Sequence, residues 1–125
     1  CVLNKEDRVL IPRAKQGSKI LNRILDEGGI VYRDLAVYDI RSMPVKEDAL
    51  SGLDYITFES GSGVRGFFAD HAVEKARILN EDVYPVCIGH VTEEVLRSYG
   101  VIRSLVAKDY TADGLCEVLA GSTVF

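Results

Sequence analysis

The 125-residue chain is 47% hydrophobic and 27% charged, a globular composition and neither a disordered nor a fibrous one. Its 15 Lys and Arg against 19 Asp and Glu give a net charge of −4, which offers no support for nucleic-acid or membrane-surface binding. The apolar runs are a few residues each, too short to span a bilayer, and no charged-then-apolar leader opens the chain, so there is no secretion signal to read; the odd, widely spaced cysteines fit a reducing cytoplasm.

The elements read in chain order as follows. Arg8 to Ile11 reads as a buried strand ended by Pro12. Ile20, Leu21, Ile24 and Leu25 recur at helical spacing, and Gly28-Gly29 stops that helix. Ile30 to Ile40 is an extended segment longer than an average strand. A loop with a helical turn around Lys46 to Leu50 leads to a third strand, Tyr55 to Phe58. Ser60 or Ser62 is placed to cap a helix through about Val73. Tyr84 to Ile88 is a fourth strand, Thr92 to Tyr99 a helix, Ser104 to Ala107 a fifth strand, and Thr111 caps a last helix through about Leu119. The alternation predicts a single α/β domain over 1–125: a three-layer parallel sheet of about five strands, flavodoxin-like, with helices on both faces.

The cysteines Cys1, Cys87 and Cys116 are odd in number and widely spaced, with no CxxC pair. They read as small buried hydrophobes in a reducing compartment, not as a disulfide framework or zinc site. His71 and His90 are the only histidines, too few for a His-rich metal site.

Ligands of open α/β sheets bind beyond the carboxyl ends of the strands. Those ends carry Pro12-Arg13, then Glu59-Ser60-Gly61-Ser62-Gly63, then Gly89-His90-Val91-Thr92, then Lys108-Asp109-Tyr110-Thr111. Three of these turns enter helices with Ser or Thr near the start, where free N–H groups and the helix dipole attract anions. Arg13 and Lys108 add cations, so a ligand bearing several carboxylates or phosphates is expected. The bland alternative is that Ser60, Ser62, Thr92 and Thr111 only cap helices.

Other chemistries fit less well. Gly61-Ser62-Gly63-Val64-Arg65-Gly66 matches the dinucleotide fingerprint, but it follows the third strand instead of the first. A phospho-receiver site needs an acidic cluster around magnesium, and the first strand ends without a carboxylate pair. No GxSxG elbow is present. A non-catalytic anion-binding domain and a dinucleotide-binding domain remain the alternatives. Tyr38, at the end of the long extended segment, is suited to donate a hydrogen bond or act as a general acid.

In order, RVLIPRAKQGSKILNRILDEGGIVYRDLAVYDIR, LDYITFESGSGVRGFF, VCIGHVTEEVLRSYGV and VAKDYTADGLCEVL resemble the second sequence half of the uroporphyrinogen-III synthase family. The resemblance runs from about Arg8 to Leu119. It implies members of about twice this length, built as two α/β lobes joined by a two-stranded ladder, with residues 30–41 as the connector between lobes. It further implies a cofactor-free lyase that closes the linear tetrapyrrole hydroxymethylbilane to uroporphyrinogen III, inverting the last ring with loss of water. Substrate carboxylates would then be held by amides and hydroxyls at helix starts. Tyr38 matches the family tyrosine that assists departure of the hydroxyl. Ser60, Gly61 and Ser62 match its Ser-rich turn, Gly89 and Thr92 its next helix start, and Thr111 the start of the last helix. The sequence departs from the family where Gly61 replaces a proline and where His90 follows Gly89. The expected partner is the missing first half or a second copy in a homodimer, with the 8–29 element folded back or exchanged between chains.

Overall fold

The computed structural model describes residues 3–122; Cys1 lies outside the described residues. The chain divides into two compact units, one up to Arg41 and one from Ser42.

The first unit is a β-α-β element: β1 (Arg8–Ala14), α1 (Ile20–Glu27) and β2 (Val31–Tyr38). The two strands pair in parallel, with Arg8 opposite Val31 and Pro12 opposite Leu35. Pro12 therefore does not end the strand as expected. A two-stranded sheet leaves one edge of each strand unpaired, and a residue without an N–H is tolerated there. Gly29 follows α1 at φ 67°, the left-handed conformation that glycine adopts without a Cβ penalty. Ile11, Ala14 and Leu25 are buried. The helical stripe read from the sequence is otherwise open, since Ile20, Leu21 and Ile24 are exposed. Along a strand the side chains alternate between faces, and Leu10, Val31, Leu35 and Val37 are exposed as well.

The second unit is three-layered. A 3-10 turn over Glu47–Leu50 precedes β3 (Tyr55–Phe58), α2 (Gly61–Phe67), α3 (Ala72–Glu81), β4 (Tyr84–Cys87), α4 (His90–Ser98), β5 (Leu105–Val106) and α5 (Ala112–Ser122). The three strands form one parallel sheet in the order β3-β4-β5. The α/β class and the five strands thus match the sequence reading, with the strands divided between a two-stranded and a three-stranded sheet. The strand alternation separates two apolar clusters. Phe58 and Cys87 pack with Val64, Phe67, Leu79 and Leu96 from α2, α3 and α4. Val86 and Ile88 pack with Ala107 and with Leu115 of α5.

The helix expected from Ser60 through Val73 is two helices. The chain breaks after Phe67, and His71 takes φ 48° as the residue before α3. No glycine or proline marks this break. Hydrogen bonds span it: the buried Lys75 ammonium donates to the Phe67 carbonyl at 2.8 Å and to the Asp70 carboxylate. Helix α4 also starts two residues earlier than Thr92, on a Gly89 cap. Cys87 is buried as expected, whereas Cys116 is exposed.

Candidate functional site

The parallel order β3-β4-β5 carries the carboxyl ends of three strands to one edge of the second unit. After β3, Ser60 is extended and caps α2, its hydroxyl accepting the Gly63 N–H at 3.0 Å. The Ser62 hydroxyl lies 3.0 Å from that of Ser60. The fingerprint-like Gly61 to Gly66 stretch is therefore helical from its first residue. Gly61 lets α2 approach α4 closely, since a Cβ there would meet Val95 at 3.0 Å.

After β4, Gly89 caps α4 in an extended conformation, and no side chain caps the first turn. Its Cβ would fall 2.4 Å from the Tyr110 ring. Thr92 is one of the most buried polar residues, at 1% exposure, so its hydroxyl lies within the fold and not at an open helix start. His90 is exposed and its Nδ1 sits 3.3 Å from Glu93. Glu93 is also bonded by Arg97 at 2.8 Å and by the Ser104 hydroxyl at 2.7 Å. Those donors, Ser104 first, hold its carboxyl at about 2. The Cys87 thiol next to this turn is pushed up to about 11 by burial, so it is no nucleophile at neutral pH.

After β5, Lys108 borders a depression of about 390 Å³ with Gly114, Glu117, Val118 and Gly121. Thr111 caps α5 as expected, accepting the Gly114 N–H at 3.0 Å. Gly114 is tightly enclosed: a Cβ there would lie 2.3 Å from the Asp109 carbonyl oxygen.

Arg13 and Tyr38 belong to the first unit. Arg13 is committed to its own fold. Its Nε donates to Asp34 at 2.8 Å, a second nitrogen donates to the same carboxylate, and a third donates to the Ser18 carbonyl. Lys19 and Asn22 also donate to Asp34, at 2.8 and 3.0 Å. Led by Arg13, these donors hold the Asp34 carboxyl well below the usual carboxylate range. Lys19 is the exposed cation of this group, and sequence spacing did not single it out. Tyr38 ends β2, where its carbonyl accepts the Lys15 N–H at 2.8 Å and its side chain is exposed. The register slips by one residue just before it, Arg13 pairing with Ala36 and Ala14 with Tyr38. Glu93, Ser104 and Tyr110 were given no role in the sequence reading, although Tyr110 stood in the turn after the fifth strand. Only the pairing of β4 with β5 brings Ser104 and Tyr110 beside the Gly89 turn.

A family model described as uroporphyrinogen-III synthase HemD matches residues 2–117. The chain belongs to the uroporphyrinogen-III synthase family. It is 32% identical over 123 residues to a porphyrin biosynthesis protein HemD of Ruminiclostridium josui, covering 94% of this chain and 23% of that protein. It is similar to the crystal structure of a uroporphyrinogen-III synthetase from Helicobacter pylori 26695, at 26% identity and TM-score 0.74, covering 94% of this chain and 54% of that one. A Thermus thermophilus uroporphyrinogen III synthase shares the fold at 19% identity and TM-score 0.62, covering 95% of this chain and 52% of that one. The chain thus spans about half the length of these solved relatives and less of the curated one. Among the described residues no helix is long and apolar enough to cross a membrane.

Proposed function

We propose that this chain is one half of a uroporphyrinogen-III synthase, working in the cytoplasm and contributing residues to the site that closes hydroxymethylbilane to uroporphyrinogen III. The observation that carries the reading is the set of three helix starts, at Ser60, Gly89 and Thr111, on the carboxyl edge of one parallel sheet in a chain of this family. Acetate and propionate arms need several fixed donors. Backbone N–H groups and hydroxyls at helix starts supply them without adding mobile charge. That suits a chain of net charge −4, which cannot gather a polyanion by bulk attraction. Lys108 supplies a cation at the same edge. Arg13 is spent largely on Asp34, so its part is to fix the end of β1.

In this reaction the hydroxyl of the hydroxymethyl group takes up a proton and leaves as water, and the methylene-pyrrole left behind carries positive charge until its carbon closes the ring. Tyr38 donates a proton or hydrogen bond to the departing hydroxyl, and the resulting water carries the oxygen away. The rest of catalysis is positioning of the two reacting ends of one chain molecule. Positioning requires the rest of the site, and the first unit supports that need. A parallel sheet is ordinarily covered on both faces, yet Leu10, Val31, Leu35 and Val37 are exposed, as are Ile20, Leu21 and Ile24 of α1. The partner is the missing first half or a second copy of this chain.

Freshly made hydroxymethylbilane, incubated with the chain alone and with a supplied first half, tests the reading. Uroporphyrinogen III in either mixture is expected; only the spontaneous isomer I in both refutes it. Tyr38→Phe is expected to lower the rate, and an unchanged rate refutes the role of Tyr38. Light scattering of the chain alone distinguishes a second copy from a missing half: a 13.8 kDa particle excludes the homodimer.

A further inference from the structure

Tyr110 is the aromatic side chain that the helix-start site leaves unexplained. It lies between β5 and the Thr111 cap of α5, and 63% of it is exposed. Its ring edge occupies the space that a Cβ on Gly89 would fill, 2.4 Å from Cδ2 and 2.7 Å from Cε2. Gly89 sits at φ −168°, a conformation open to any residue, so its backbone does not demand glycine. The ring does. The arrangement seats an aromatic plane against the first turn of α4 while leaving much of it open at the carboxyl edge of β4 and β5.

An exposed ring set beside helix starts that would hold carboxylates is suited to a ligand that is itself flat and aromatic. Stacked or edge-to-face rings gain attraction beyond simple area burial. A pyrrole ring bearing carboxylate arms joins both requirements. Its plane would meet Tyr110 and its arms the donors around it. We propose that Tyr110 is a positioning residue that binds one pyrrole ring of the substrate through its aromatic face, and that Gly89 exists as glycine to seat it. This inference rests on the tetrapyrrole reading above.

The test uses uroporphyrin III, a planar octacarboxylate, as probe, following the shift of its visible absorption on titration with the 125-residue chain. The wild-type chain is expected to bind. Tyr110→Phe keeps the plane and is expected to bind within about twofold of wild type, whereas Tyr110→Ala is expected to bind about tenfold more weakly. Gly89→Ala should push the flexible Tyr110 side chain out of its seat and weaken binding by about the same factor. The decisive comparison is the double variant. If both changes act through the ring, Gly89→Ala adds nothing once Tyr110 is Ala. Urea midpoints equal to wild type show that each variant is folded.

Wild-type binding with Tyr110→Ala equally tight overturns the role of Tyr110 and leaves the tetrapyrrole reading standing. A Gly89→Ala loss that persists in the Tyr110→Ala background overturns the coupling, placing the effect in the α4 backbone instead. No binding by the wild-type chain overturns this inference, whereas the reading it rests on is decided separately by the hydroxymethylbilane incubations with and without a supplied first half.

Discussion

Lys75 is the most informative single position for the folding physics. Its side chain is fully buried, its ammonium donates to the Phe67 carbonyl at 2.8 Å and to Asp70, and it lies 5.1 Å from the Phe67 ring centroid. Two charge-assisted hydrogen bonds are worth about 1.5–3 kcal/mol each, and a desolvated cation–ring contact about 2 kcal/mol. Against them stands a desolvation penalty of several kcal/mol for the ammonium. The sums nearly cancel, so Lys75→Met, which keeps the length of the side chain, is not expected to be severe. What it leaves behind is the buried Phe67 carbonyl without its donor, at about 1–2 kcal/mol. Lys75→Ala loses the packed stem as well and is expected to cost about 3–4 kcal/mol, as other large-to-small core changes do. Urea denaturation followed by circular dichroism reads both: at unchanged slope, the Met variant should lower the midpoint by about 1 M and the Ala variant by about 2 M. A Met variant at least as stable as wild type would show that the break between α2 and α3 does not need the ammonium. Equal losses in the two variants would show that the packed stem contributes nothing.

Three further outcomes follow from the same structure. Gly114→Ala should destabilise by about 2 kcal/mol, because its Cβ meets the Asp109 carbonyl oxygen at 2.3 Å and backbone yields poorly. Gly121→Ala on the same helix, with nothing within 4 Å, should instead stabilise by a few tenths of a kcal/mol; thermal melts compare the two, and losses of equal size would refute the distinction. Because Glu93 is held at about 2 against an ordinary 4.5, its contribution is complete above about pH 4.5 and is lost as pH falls toward 2. Glu93→Gln should therefore show a shallower loss of stability than wild type between about pH 5 and pH 3, and parallel curves would refute the role given to its donors. A thiol reagent at pH 8, read by peptide mass spectrometry, should label exposed Cys116 quickly and Cys87, raised to about 11 by burial, only on unfolding; rapid labelling of Cys87 in the native chain would contradict its place in the core.

Much of the site was legible because its anchors are local. Ser60 and Thr111 were recognised as cap residues from position alone, and both accept an N–H three residues on, a contact that any chain with this local pattern can make. Thr92 was misjudged because a hydroxyl near a helix start reads the same whether it faces solvent or core. Only the packing of α4 on the sheet buries it to 1% exposure. Pro12 was misread for a related reason, since the proline rule assumes a strand paired on both sides.

By itself the sequence determined the alternation of strands and helices and the α/β class, because apolar periodicity and Gly, Ser and Thr punctuation act over a few residues, and its ordered segments carried the resemblance to the family. Tertiary structure alone decided what depends on distant partners. It divided five strands between two sheets, and it brought the buried Lys75 ammonium to the carbonyl of Phe67, where the helix breaks. It committed Arg13 to Asp34, twenty-one residues away. It also laid Tyr110 against Gly89. Contacts of that kind are set by sheet order and close packing, which no spacing along the chain encodes.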